Sequence, residues 1–397
     1  MTTTADVDPL VARMRPFGTT IFAEMSALAV RTGAVNLGQG FPDTDGPPEM
    51  LAAAAEALRS GQNQYPPGPG IPALRAAVAA HQRRFWGLEY DPDGEVVVTA
   101  GATEAVAAAI LALCEPGDEV LCFEPYYDSY AASIALAGAV RRPVTLRPAT
   151  GGRYAFDPDA LRATFGPRTR LALLNSPHNP TGKVFTPAEL TLIAELCQEH
   201  DAYAVTDEVY EHLVFTDASA PHLPLATLPG MRERTLRISS AGKTFSCTGW
   251  KVGWASGPAR LVSALLRVKQ FLTFVNAAPL QPAAAVALGL PDEYFAGLRA
   301  GMQARRDQLV EGLNDAGFDV LAPEGTYFVT ADVTPLGGRD GVAFCRSLPQ
   351  RCGVVAVPTQ VFYDDAEAGR RLVRFAFCKR PEVLTEAVTR LRRLAVG

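Results

Sequence analysis

Positive charge is scarce in this 397-residue chain, which carries 37 Lys and Arg against 42 Asp and Glu, for a net charge of −5. A nucleic-acid partner wants a basic face against its phosphates, so that class is excluded, whereas a small anion held by a few local cations is not. No run reaches the roughly 18 uninterrupted apolar residues that a membrane helix needs. The first eight residues, Met-Thr-Thr-Thr-Ala-Asp-Val-Asp, lack the basic region and apolar core of a signal peptide. The seven cysteines (Cys114, Cys122, Cys197, Cys247, Cys345, Cys352 and Cys378) are odd in number and never spaced C-x-x-C. That excludes a disulfide framework and a zinc knuckle, and is expected of buried thiols in a reducing cytoplasm. The five histidines are dispersed without the spacing of a metal pair, so no metal is expected. Repeats and low-complexity linkers are absent too.

What is present is an apolar fraction of 48% with 20% charged residues, the balance of a globular protein long enough for two domains. A helical pattern holding Ile21, Met25, Leu28 and Ala29 leads into extended residues 34–37. Further helices are expected over 49–58 and up to Phe85. From residue 95, strands (95–99, 119–122, 170–174, 203–205, 235–238 and 252–255) alternate with helices (to Leu113, 126–136 and 187–198). This is the pattern of a mostly parallel sheet sandwiched by helices, an α/β fold. After about residue 286 the texture changes to a long helix (292–313) with Arg305, Arg306 and Asp307 on its outer face. Short strands (327–331, 354–357 and 372–377) and a last helix (381–394) follow. The expected organisation is a large unit over 47–285 and a smaller α+β unit over 286–397, on which residues 1–46 pack. Gly68, Gly70 and Ala73 mimic a dinucleotide fingerprint, but prolines interrupt it and no strand precedes it, so that reading is rejected.

The stretch 239–254, Ser-Ser-Ala-Gly-Lys-Thr-Phe-Ser-Cys-Thr-Gly-Trp-Lys-Val-Gly-Trp, organises the rest. Lys243 stands among small residues that let a flat ligand approach. Ser240 lies three positions before it and Lys251 eight after it, and both could hold a phosphate. This points to a Schiff-base lysine for pyridoxal phosphate. Ser240 to Lys243 also fits S-x-x-K, the motif of an acyl-enzyme nucleophile, but the accompanying S-D-N and K-T-G strings do not occur. In a doubly wound sheet ligands collect at the carboxyl ends of strands, where the other candidates fall. Asp207 would pair with the pyridine nitrogen, and Tyr210 and Asn179 would share the phenolic oxygen. Gly101, Ala102 and Thr103 would seat the phosphate on a helix N-terminus, and Tyr127 would stack on the ring. Arg374, a cation in an apolar strand, would take a substrate carboxylate.

Asn36-Leu-Gly-Gln-Gly-Phe-Pro-Asp43, Asn63-Gln-Tyr65, Asn175-Ser-Pro-His-Asn-Pro-Thr-Gly182 and Thr248-Gly-Trp-Lys-Val-Gly-Trp254 together resemble fold-type I, class I aminotransferases of the kynurenine, glutamine and methionine branch. Phe22-Ala-Glu-Met-Ser-Ala-Leu28, Tyr65-Pro-Pro-Gly-Pro-Gly70 and residues 206–215 are similar to bacterial N-succinyldiaminopimelate aminotransferases of lysine synthesis. The resemblance spans nearly the whole chain. It implies ping-pong transamination with glutamate as amino donor, and a cytoplasmic homodimer in which Tyr65 reaches the partner's phosphate. It also implies that Gly40 meets the substrate carboxylate through its backbone, with Phe22 on the substrate side. The alternatives are a broad-specificity transaminase and β- or γ-elimination or replacement. The chain departs from the family pattern at residues 275–278 around Asn276, at Gln360, and in a short loop from Tyr363 to Arg370, all near where the family places substrate side chains.

Overall fold

A computed structural model describes residues 9–149 and 151–396. The signal-peptide reading of residues 1–8 therefore lies outside the described residues. The centre is a seven-stranded sheet in the order Val96–Thr99, Gly253–Ser256, Thr235–Ser240, Tyr203–Asp207, Thr169–Asn175, Glu119–Glu124 and Val140–Thr145. Only Gly253–Ser256 runs against its neighbours, with Gly253 opposite both Thr99 and Ser240. Val96–Thr99, Gly253–Ser256, Thr235–Ser240 and Glu119–Glu124 are buried along their whole length, as a sheet covered on both faces requires. The 126–136 helix of the sequence reading begins only at Asp128, because Tyr127 is still extended as its N-cap residue. The helices Pro158–Thr164, Ala259–Lys269, Gln281–Leu288 and Gly341–Cys352 are additional to those read from the sequence, as is the edge strand Val140–Thr145.

A second, antiparallel sheet holds Asp319–Leu321, Phe328–Asp332, Leu372–Ala376 and Val357–Pro358, with Arg374 opposite both Thr330 and Val357. The single strand expected over 354–357 is in fact two. Val354–Val355 pairs in parallel with Val35–Asn36, and past Ala356 the chain changes ladders to pair with Leu372–Ala376. The helix Asp292–Asp315 corrects another expectation, since Arg306 is not on its outer face. Met302, Arg306, Leu309 and Leu313 follow the 4, 3, 4 spacing of one stripe, and all four are buried. Arg306 satisfies its fork there on both carboxylate oxygens of Asp217, each at 2.8 Å.

All seven cysteines are free and buried, and no helix among the described residues is long and apolar enough to cross a membrane. The fold also brings together residues whose sequence spacing gave no hint of contact. His81 and His212 approach through Nε2 at 2.9 Å beside Glu211. Burial pushes their imidazoles down to about 4 and about 3, so both are neutral. The Glu211 oxygens are already taken by Trp86, Arg237 and Ser239.

Candidate active site

The loop 241–252 leaves the sheet at Ser240 and re-enters at Gly253, on the antiparallel neighbour of the strand it left. It holds two short helical turns, Ala241–Thr244 and Thr248–Trp250, and reaches Gly253 through Lys251 in the left-handed conformation at φ 53°. Gly253 cannot carry a side chain here. A Cβ would meet the carbonyl carbon of Gly101 at 2.6 Å and the nitrogen of Ala102 at 2.8 Å. That missing side chain lets the N-terminus of the helix Gly101–Leu113 press against the lysine loop. The first N–H groups of this helix have no partner within it, and Gly101, Ala102 and Thr103 line the same space as Ser240 and Lys251.

That space is a cavity of about 370 Å³ at the carboxyl ends of the parallel strands. Gly101, Ala102, Thr103 and Tyr127 line it from the segments after Val96–Thr99 and Glu119–Glu124. Asn179, Asp207, Tyr210, Ser240, Lys243 and Lys251 line it from the strands later in the chain and the segments after them. Phe22, Gly40 and Arg374 close it from the N-terminal segment and the antiparallel sheet. Tyr65 is not brought there: it is 81% exposed, with its ring edge-on to Phe274 at 5.4 Å. Asn276 and Gln360 do not line the cavity of their own chain either. Asn276 donates to the carbonyls of Thr99 and Lys251, and Gln360 donates to Asp340.

Three ionisable groups set the electrostatics. Lys243 lies within the cavity wall, and among the described residues its one hydrogen bond is to the Gly40 carbonyl, at 3.5 Å. Burial lowers its amine to about 8, and the charges of Arg374 and Lys251 push the same way. Asp207 is buried at the end of its strand. Its Oδ2 accepts from the Tyr130 hydroxyl at 2.6 Å, while its Oδ1 has no partner. Burial raises this carboxyl, against the lowering effects of Tyr130 and the Val209 backbone. Arg374 is 2% exposed and gives one N–H to Asn179 Oδ1 and another to the Gly38 carbonyl, both at 3.0 Å. Its Nε has no partner, and no carboxylate among the described residues pairs with it. The guanidinium instead lies 4.0 Å from the ring centre of Phe328 and 5.1 Å from that of Phe22, and burial lowers it to about 10.

Sequence reasoning did not single out Tyr130, Gln39 or Phe328, all of which line the cavity. Tyr130 had a usable signal, since it follows Tyr127 by three residues at the start of the helix Asp128–Leu136, and the two rings lie 5.7 Å apart. Gln39 and Phe328 had none, because their place depends on contacts between distant segments.

A near-neutral amine, an unpartnered carboxylate oxygen, a helix N-terminus with a nearby cation, and a buried guanidinium together are groups that could receive a flat anionic cofactor and a carboxylate substrate. Residues 32–391 match the aminotransferase class I and II family, to which the chain belongs; it is a fold-type I, pyridoxal-phosphate-dependent aminotransferase. It is 55% identical, over 97% of its length and 98% of the relative's, to the probable N-succinyldiaminopimelate aminotransferase DapC of Mycobacterium tuberculosis. The methionine aminotransferase of Escherichia coli is 41% identical over 98% of this chain and 99% of its own. The solved structure of N-succinyldiaminopimelate aminotransferase from Mycobacterium tuberculosis superposes with a TM-score of 0.94 at 56% identity, covering 97% of this chain and all of that one.

Proposed function

We propose that the protein transfers an amino group from glutamate to N-succinyl-2-amino-6-oxopimelate, and that it works as a homodimer in which Tyr65 serves the partner's cavity. Likeness to the Mycobacterium tuberculosis protein along nearly the whole chain supports the substrate. The observation that carries the chemistry is Arg374, a buried cation that lines the cavity with Lys243 and has no carboxylate partner among the described residues. Burying such a charge is costly unless a ligand of opposite sign completes it. In this reading residues 47–285 form the cofactor-binding unit, with 1–46 and 286–397 as the smaller one.

The residues present fit pyridoxal phosphate. Asp207 Oδ1, a buried acceptor with no partner among the described residues, would take a hydrogen bond from the protonated ring nitrogen. Tyr210 and Asn179 would hold the phenolic oxygen and Tyr127 the ring face. The N–H groups of Gly101, Ala102 and Thr103, with Ser240 and Lys251, would hold the phosphate. Bound there, the cofactor supplies an electron sink for the pair left when the substrate Cα–H bond breaks.

The chain does the rest. Lys243 would anchor the cofactor, and once the substrate amine has displaced it the freed amine, lowered toward neutrality, would be the base that takes the Cα proton. The Arg374 fork and the Gly40 backbone orient the carboxylate, so that the Cα–H bond faces Lys243. Phe22 and Phe328 keep water from that side. The test is a panel of donors and acceptors on the purified enzyme, with the highest kcat/KM expected for glutamate with N-succinyl-2-amino-6-oxopimelate. A higher value for methionine or kynurenine with 2-oxoglutarate would replace this substrate by the broad-specificity reading.

A further inference from the structure

Gln39 lines the cavity beside Gly40, and its amide is held in one orientation. Its Nε2 donates to the carbonyl oxygen of Phe22 at 3.2 Å and also to Ser26 Oγ. A carbonyl oxygen can only accept, so the group facing Phe22 must be the NH₂ end. Both N–H donors are thus used on the helix Ile21–Thr32. The remaining polar atom, Oε1, accepts from no described residue and is not among the buried polar atoms that lack a partner. All that Gln39 has left for a ligand is one acceptor.

The rest of the cavity narrows what that acceptor is for. Among the described residues the lining cations are Lys243, Lys251 and Arg374. In the function proposed above these are engaged by the cofactor, its phosphate and the reacting carboxylate. The walls left for a substrate side chain include the rings of Phe22, Phe41 and Phe328. An N–H group entering among such rings loses its water and needs an acceptor in return.

We propose that Gln39 is a specificity-determining residue whose Oε1 accepts a hydrogen bond from an N–H on the substrate side chain, so that the subsite favours amide-bearing side chains over isosteres without one. The inference rests on the transaminase reading, and the acylated nitrogen of N-succinyl-2-amino-6-oxopimelate carries such an N–H. A site built to bond a polar group discriminates strongly against an analogue lacking it.

Glutamine and methionine, similar in length but with an N–H only in glutamine, make the test. In the pyridoxal-phosphate-loaded enzyme, Gln39→Met should lower the ratio of kcat/KM for glutamine over methionine by about tenfold, the scale of one hydrogen bond. Calorimetric dissociation constants for α-methylglutamine and α-methylmethionine, which bind but have no Cα proton to lose, should shift in ratio by the same factor. Gln39→Leu should reproduce both shifts. Ratios unchanged from wild type in either variant overturn the proposal. Inactivity of the wild type toward N-succinyl-2-amino-6-oxopimelate overturns the substrate proposed above but leaves these ratios readable, so the two failures are distinct.

Discussion

Tyr130 donates its hydroxyl to Oδ2 of Asp207 across 2.6 Å, and both side chains are buried. One carboxylate oxygen is thereby fixed, and the other is left to face a ligand. A hydrogen bond to a charged acceptor in a buried site favours the ionised form that burial opposes. Tyr130→Phe should therefore weaken pyridoxal phosphate binding by about tenfold or more. Absorbance titration of the cofactor-free protein measures this, and an unchanged dissociation constant would mean that Asp207 needs no such support.

Lys243 has its ordinary value of 10.5 when unfolded and about 8 when folded, chiefly through burial. Below pH 8 the amine is protonated in both states, and the folded cofactor-free protein bears the whole cost of burying the charge. Between pH 8 and 10.5 the folded state sheds its proton first, so stability rises with pH. Lys243→Met should abolish transamination and, without cofactor, unfold at a higher temperature than wild type at pH 7. The gap should narrow above pH 8. A gap independent of pH would place the amine in a wetter environment than this fold gives it.

For Arg374, removing the fork should raise the KM for amino donors by about a hundredfold, the loss expected of a bidentate charged pair. That is the expected result for Arg374→Ala. Arg374→Lys should recover only part of it, because one ammonium cannot reproduce two parallel N–H bonds. Equal KM values for Arg374→Lys and wild type would show that charge alone is read.

Arg237 lies beneath the site at 1% exposure and pairs with Glu208 at 2.7 Å and Glu211 at 2.6 Å. Burial raises the Glu211 carboxyl, but Arg237 together with His81, His212 and His222 outweighs it and holds the group at about 2, against 4.5 when unfolded. This stability is present above pH 4.5 and is lost as pH falls toward 2. Arg237→Met strands two buried carboxylates and should cost about 3–5 kcal/mol at pH 7. Urea unfolding from pH 3 to 7 should show its acid limb moved upward. Further changes, Glu208→Gln and Glu211→Gln, should restore much of the loss.

Much of the site was legible before any fold was known. Lys243, Asp207 and Gly101 announce themselves because strand ends, small residues and an acid closing an apolar run are local features. The strand–helix alternation likewise follows from periodicity. The Arg306 misreading is instructive: a charged residue was assigned to the outside by type, although its spacing from Met302 and Leu309 put it on the buried stripe.

By itself, then, the sequence determined which chemical groups the chain owns and at which strand ends they emerge, because backbone propensity and burial pattern act over a few neighbouring residues. Only the tertiary structure decided that Tyr130 supports Asp207, that Arg374 lies among aromatic rings without a counter-ion, and that the Gln39 amide turns its donors away on Phe22 and Ser26. Those relationships join distant segments. Their geometry is set by how helices and sheets pack, which no local pattern of residues encodes.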